Sequence, residues 1–187
     1  MRLKDFIVRF QEGRGRYKKQ ALIALAFLTL LMFFGSAIKP LLIFAFLILV
    51  ASFSTFYHNF FRSPVNFELV KLATITSSVA YGALAGILVG VSSDLLGRAL
   101  SGRFDQDTIT SLGAMIAIAV LASMFRTANI AILGILLVVA YYLMILPFLF
   151  LFGKDLARAS VYIGSNLLFN AILFINVAPL LLNIIGR

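Results

Sequence analysis

The polar residues of this chain are few, and their spacing narrows what they can do. Asp94 and Arg98 stand four apart, acid before base, which on a helix makes the favourable ion pair. Tyr162, Asn166 and Asn170 are also spaced by four and share a helical face, with Ser165 and Phe169 beside it. Tyr141 and Tyr142 add two adjacent phenols. A face of this kind can bind a small polar ligand by hydrogen bonds and aromatic contact. It can equally bond neighbouring helices, because buried amides require partners. Asp105-Gln106-Asp107 has the form of a metal-binding DxD but lacks an accompanying carboxylate or histidine. It reads better as a solvated loop, with Asp107 capping the next helix. The lone histidine, His58, falls in a loop, and there are no cysteines. Metal sites, disulfides and thiol chemistry are therefore not expected. Neither a phosphate loop nor a metalloprotease motif is present, and the chain is not expected to be an enzyme or to need a cofactor.

The elements that must hold these residues are apolar. Of 187 residues, 62% are hydrophobic and 12% charged, against about 25% charged in soluble domains. A spanning helix needs about 20 apolar residues, and several such runs are present. The expected fold is all-α: one polytopic membrane bundle over residues 20–187, preceded by a basic amphipathic segment over 1–19. In that segment Leu3, Phe6, Ile7 and Phe10 fall on one helical face among basic residues.

Six spans are expected: Ala21–Ile38, Leu41–Phe56, one long helix from Phe67 to about Val91 with Leu100 as its outer limit, Thr108–Phe125, Asn129–Phe152 and Ala159–Ile185. Lys39-Pro40 is read as a tight turn between the first two. Pro147 and Pro179 fall inside the fifth and sixth spans. The alternative splits 67–100 at Gly82 and gives seven. Six spans leave 11 basic residues inside and 5 outside; seven leave 13 and 3. Six is preferred because 67–81 is short for a span and no polar loop lies at the split. The formal charge is +9, and seven basic residues precede residue 20. This is a topology signal before it is a binding signal. It places the N-terminus in the cytoplasm of a cell (plasma) membrane protein, with the bilayer as the first partner and no nucleic acid expected.

Gly82, Gly86 and Gly90 recur every fourth residue and let a second helix approach closely. The partner is either a helix of the same chain or another membrane subunit.

With Val89, Asp94, Leu95, Leu96 and Gly97, these glycines form a segment that resembles two groups. One is the S component, the substrate-binding membrane subunit of energy-coupling factor (ECF) transporters. The other is the MreD-type subunit of the bacterial rod-shape machinery. The stretch Asn166-Leu167-Leu168-Phe169-Asn170-Ala171, followed by Ala178-Pro179-Leu180-Leu181, is similar to the last helix of both. The first resemblance implies a non-catalytic subunit that captures a vitamin-like solute on the outer side and works with an ATP-driven module. Tyr141, Tyr142, Tyr162, Asn166 and Asn170 are the expected ligand contacts. The second implies a structural subunit of a membrane complex. The chain departs from S components in its first span, which lacks a pair of small residues four apart, and in the short Lys39-Pro40 connection.

Overall fold

The computed structural model describes residues 38–56, 65–102 and 104–185. The basic segment 1–19, the span expected at 21–38 (apart from Ile38) and His58 lie outside the described residues. The chain divides into two compact units, Met1–Leu42 and Ile43–Arg187. Only residues 38–42 of the first are described, and they are helical.

Among the described residues there is no strand. The helices are α1 (Ile38–Phe53), α2 (Val70–Tyr81), α3 (Ala83–Ser101), α4 (Asp107–Met124), α5 (Ile130–Leu151), α6 (Leu156–Asn176) and α7 (Ala178–Ile185). Four are long and apolar enough to cross a membrane: Ala83–Ser101, Asp107–Met124, Ile130–Leu151 and Ala157–Asn176. The burial pattern is that of a bundle in hydrocarbon. Leu84, Leu136, Leu143 and Leu168 are exposed, whereas Thr74, Thr76, Ser77, Ser78, Asn166 and Asn170 are buried. Leucines suit a lipid-facing surface, and polar groups must find partners inside.

The expected long helix over 67–100 does not form, and with it the six-span count falls. At Gly82 the backbone takes φ 96°, ψ 173°, and the chain turns back on itself. That φ is accessible to glycine and strained for other residues. One residue therefore suffices where a polar loop seemed necessary. The two arms are antiparallel: Gly86 lies against Ser78 and the Thr74 carbonyl, and Gly90 against the Thr74 side chain and Met115 of α4. The glycine seam is thus closed within the chain. Gly97 continues it, facing Thr55 just beyond α1.

Two other boundaries differ from expectation. Lys39 and Pro40 are helical residues of α1 rather than a turn. The last span is interrupted at Val177 into α6 and α7, because Pro179 has no N–H with which to continue the ladder. The remaining boundaries follow local chemistry. Asn129 caps α5 by accepting from Ala131 and Ile132, and Asp155 caps α6 by accepting from Ala157.

Helix α2 has 12 residues, about 18 Å of rise against a hydrocarbon core of about 30 Å. It cannot cross alone. Residues 65–69 precede it as non-helical chain. Ten consecutive residues, Val70 to Val79, are buried, with α3, α4, α5, α6 and α7 all packed against the helix. Thr74 and Thr76 satisfy their hydroxyls by bonding back to the carbonyls of Val70 and Leu72, each at 2.7 Å.

A methyl group at Gly86 would strike Ser78 and the Thr74 backbone, whereas one at Gly113 meets nothing within 4 Å. Gly86→Ala should therefore destabilise the protein by about 1–3 kcal/mol. Gly113→Ala should leave stability unchanged or raise it by up to about 1 kcal/mol. Thermal unfolding in one detergent compares the two directly. The hairpin also sets the topology. Because the chain has no cysteine, single-cysteine labelling with an impermeant maleimide gives a clean readout. Phe56→Cys and Phe104→Cys should label from one face of the membrane and Ala128→Cys from the other. A continuous helix over 67–100 would instead put positions 56 and 104 on opposite faces.

Candidate functional site

The N-terminus of α2 lies deep in the bundle. Asp94 of α3 is level with Ser111 of α4, and Gly90 with Met115, which fixes the antiparallel register. On the other side of α3, Gly90 meets Thr74, so Lys71 falls near the level of Asp94. That is about 10 Å below the end of α3 at 1.5 Å per residue.

At this depth an ionic layer crosses the bundle. Asp94 accepts from Arg98 Nε at 3.1 Å and from Ser111 Oγ at 3.0 Å. Ser111 Oγ also lies 2.9 Å from the Tyr141 hydroxyl. Lys71, fully buried, pairs with Glu68. Its ammonium sits 4.4 Å from the centre of the Tyr141 ring and 5.0 Å from that of Tyr142. Aromatic faces attract a desolvated cation. The two rings meet edge to face at 89°.

Above the layer opens a cavity of about 540 Å³. Its floor is formed by Glu68, Asp94, Ser111, Tyr141 and Tyr142, and its apolar wall by Ile145, Leu149 and Ala159. Tyr162 lines it from α6. At the rim, Arg98 Nη1 reaches Asp105 at 3.3 Å and Thr108 at 3.2 Å. Lys154 bridges Asp107 at 2.8 Å and Asp105 at 3.7 Å. Arg158 and Asp155 form an exposed pair at 3.6 Å. Lys154 lies in the α5–α6 connection, outside the candidate spans. The hydrogen bond to Asp107, aided by the nearby carboxylates, raises its pKa. It is therefore a fixed positive charge at neutral pH.

The sequence-derived residues thus divide. Tyr141, Tyr142 and Tyr162 line the cavity, as do Asp94 and Arg98. Asn166 and Asn170 do not line it; they are fully buried beside the non-helical segment. Asn166 Nδ2 donates to the Asn66 carbonyl at 3.4 Å, and Asn170 Nδ2 donates to Asn166 Oδ1 at 3.0 Å. Asn66 N–H donates to Ser165 Oγ at 2.9 Å, and Leu69 N–H to Ser54 Oγ at 2.9 Å. The polar face of α6 supplies the bonds that the unwound chain lacks. Asn176, farther along, is exposed and bonds back to the Ile172 carbonyl at 2.9 Å. Asp107 does not cap α4. The N-cap is Gln106, without a side-chain bond, and Asp107 turns instead to Lys154.

Several site residues carry no sequence signal of their own. Glu68 and Lys71 fall in the first turn of the helix expected from Phe67, and no spacing singles out Ser111. Only the split at Gly82 brings them to the level of Asp94.

No family model, curated protein or solved structure matches the chain.

Asn166→Leu removes the donor to the Asn66 carbonyl and one of the two acceptors of Asn170 Nδ2, which keeps the backbone carbonyl of residue 166 at 3.0 Å. It should cost about 1–3 kcal/mol, read as a lower unfolding temperature in the absence of any solute.

Proposed function

We propose that this chain is a non-catalytic, membrane-embedded binding subunit for a small solute, of the S-component kind that its glycine segment resembles. The observation that carries this reading is the cavity itself. Ionisable side chains within a membrane bundle are costly and cluster where they serve a pathway or a ligand. Here they gather around one space of about 540 Å³, within the range of small-molecule sites. A fold needing only stability gains little from such a layer, since buried ion pairs seldom outperform apolar packing.

The positive-inside rule favours a cytoplasmic mouth. By sequence, the α1–α2, α3–α4 and α5–α6 connections carry Arg62, Arg103 and Lys154, with Arg158 in the first turn of α6, against Arg126 in the α4–α5 turn. In this reading the protein sits in the plasma membrane with its cavity open inward, the state from which solute leaves. Capture from the outer side then requires a second state, driven by an ATP-hydrolysing partner. The MreD-like scaffold reading takes the basic N-terminal segment and the glycine groove as contacts for other subunits. The second of these contacts loses support because α2 fills the groove at Gly86 and Gly90.

The test is thermal unfolding in nanodiscs against a panel of vitamin-sized solutes. A solute present at 100 times its Kd adds about 2.7 kcal/mol of stability. The shift should vanish in Tyr162→Ala, which opens the cavity wall. No stabilisation by any solute, together with a tightly co-purifying membrane protein lacking ATPase subunits, would favour the scaffold.

A further inference from the structure

The cavity inverts the charge of the chain. Lysine and arginine outnumber aspartate and glutamate by 16 to 7, for a net +9. Two of the seven carboxylates, Asp5 and Glu12, belong to the basic N-terminal segment. The other five, Glu68, Asp94, Asp105, Asp107 and Asp155, all line this one cavity. Three cations line it with them: Arg98, Lys154 and Arg158. Counting Lys71, which is bonded to Glu68, gives five carboxylates against four cations. Among the described residues that line it or bond to its lining, the formal balance is one negative charge.

Three of the four cations are held by more than one partner, and among the described residues Arg158, at the open rim, has only the exposed Asp155 at 3.6 Å. Arg98 serves Asp94, Asp105 and Thr108; Lys154 serves Asp105 and Asp107; Lys71 is held by Glu68 and two tyrosine rings. An incoming anion would have to displace a carboxylate from Arg98, Lys154 or Lys71. Acceptor capacity, in contrast, is left over. Asp107 Oδ1 is shielded from water and has no hydrogen-bond partner among the described residues. Among the described residues no three carboxylates, histidines or cysteines are grouped to hold a metal ion. The surplus charge is spread along a wall that also carries Ile145, Leu149 and Tyr162.

We infer that the ligand is a small organic amine in its monocationic form, its ammonium directed to the Asp107–Asp105 rim and its apolar body against Ile145, Leu149 and Tyr162. The inference rests on the binding-subunit reading and names its substrate class. Lys71 shows the same chemistry inside the protein: an alkylammonium held by one carboxylate and two aromatic faces.

Three probes of matched shape test it: 4-phenylbutylamine, 4-phenylbutanol and 4-phenylbutyrate, titrated into the nanodisc protein. Tyrosine fluorescence is usable because the chain has no tryptophan, and thermal unfolding provides a second readout. The amine should bind saturably and more tightly than the other two. Asp107→Asn should weaken it by about tenfold, and Lys154→Gln, which removes a competing cation, should tighten it several-fold. Opposite signs in two variants of one ion pair separate charge from folding. Preference for the butyrate or butanol, lost in Tyr162→Ala, would overturn the amine and keep the binding site. Amine affinity indifferent to both charge variants would overturn it as well. No saturable binding by any probe, or binding unchanged by Tyr162→Ala, would remove both the amine and the binding-subunit reading.

Discussion

Backbone that leaves a helix inside a bilayer must find its hydrogen bonds within the protein. That constraint organises this structure. Residues 65–69 enter the bundle unwound, and the amide of Asn66, its carbonyl and the amide of Leu69 are met by Ser165, Asn166 and Ser54. Because those bonds exist, α2 can begin deep in the bundle rather than at its end. Because α2 begins there, Glu68 and Lys71 lie beside Asp94 and the tyrosine pair. A continuous helix from Phe67 would have placed them a full membrane thickness away from Asp94.

The ionic layer and the glycine seam are two results of the same hairpin. Gly86 and Gly90 allow α2 to lie against α3 at backbone distance, which dispersion and weak contacts stabilise in a lipid environment. Close approach excludes side-chain bulk between the arms and leaves the polar ends of α2 and α3 side by side. The layer closes through Ser111 of α4 and Tyr141 of α5, so four helices share one set of charges. Above it the helices part, and the cavity occupies the opening. Gly134 repeats the device between α5 and α6, where the ring of the buried Phe174 lies against it.

Much of this was legible in the residues. The apolar runs of α3 to α6, the Asp94–Arg98 pair and the tyrosines all follow from spacing and composition. What escaped was conformational and nonlocal. Hydropathy does not distinguish a continuous helix from two arms hinged on one glycine, and Gly82 has the same side chain as Gly86, whose φ is ordinary. Asn166 and Asn170 were legible as buried amides in need of partners, but not as partners of backbone 100 residues earlier. Asp105 and Asp107 looked like loop polarity because Lys154, their counterpart, is remote in sequence. The misreadings share a cause: a polar residue advertises a need, and only the fold says what meets it.

The enclosure of α2 has a consequence for biogenesis. A segment of 12 residues that includes a lysine and a run of hydroxyls partitions poorly into lipid on its own, and its neighbours α4 to α7 are synthesised after it. When α3 is complete, α1 alone of the described helices is in place beside the hairpin, through Phe44 on Tyr81 and Ser52 on the Ser93 carbonyl. The burial of α2 is complete only once α4 to α7 have been made.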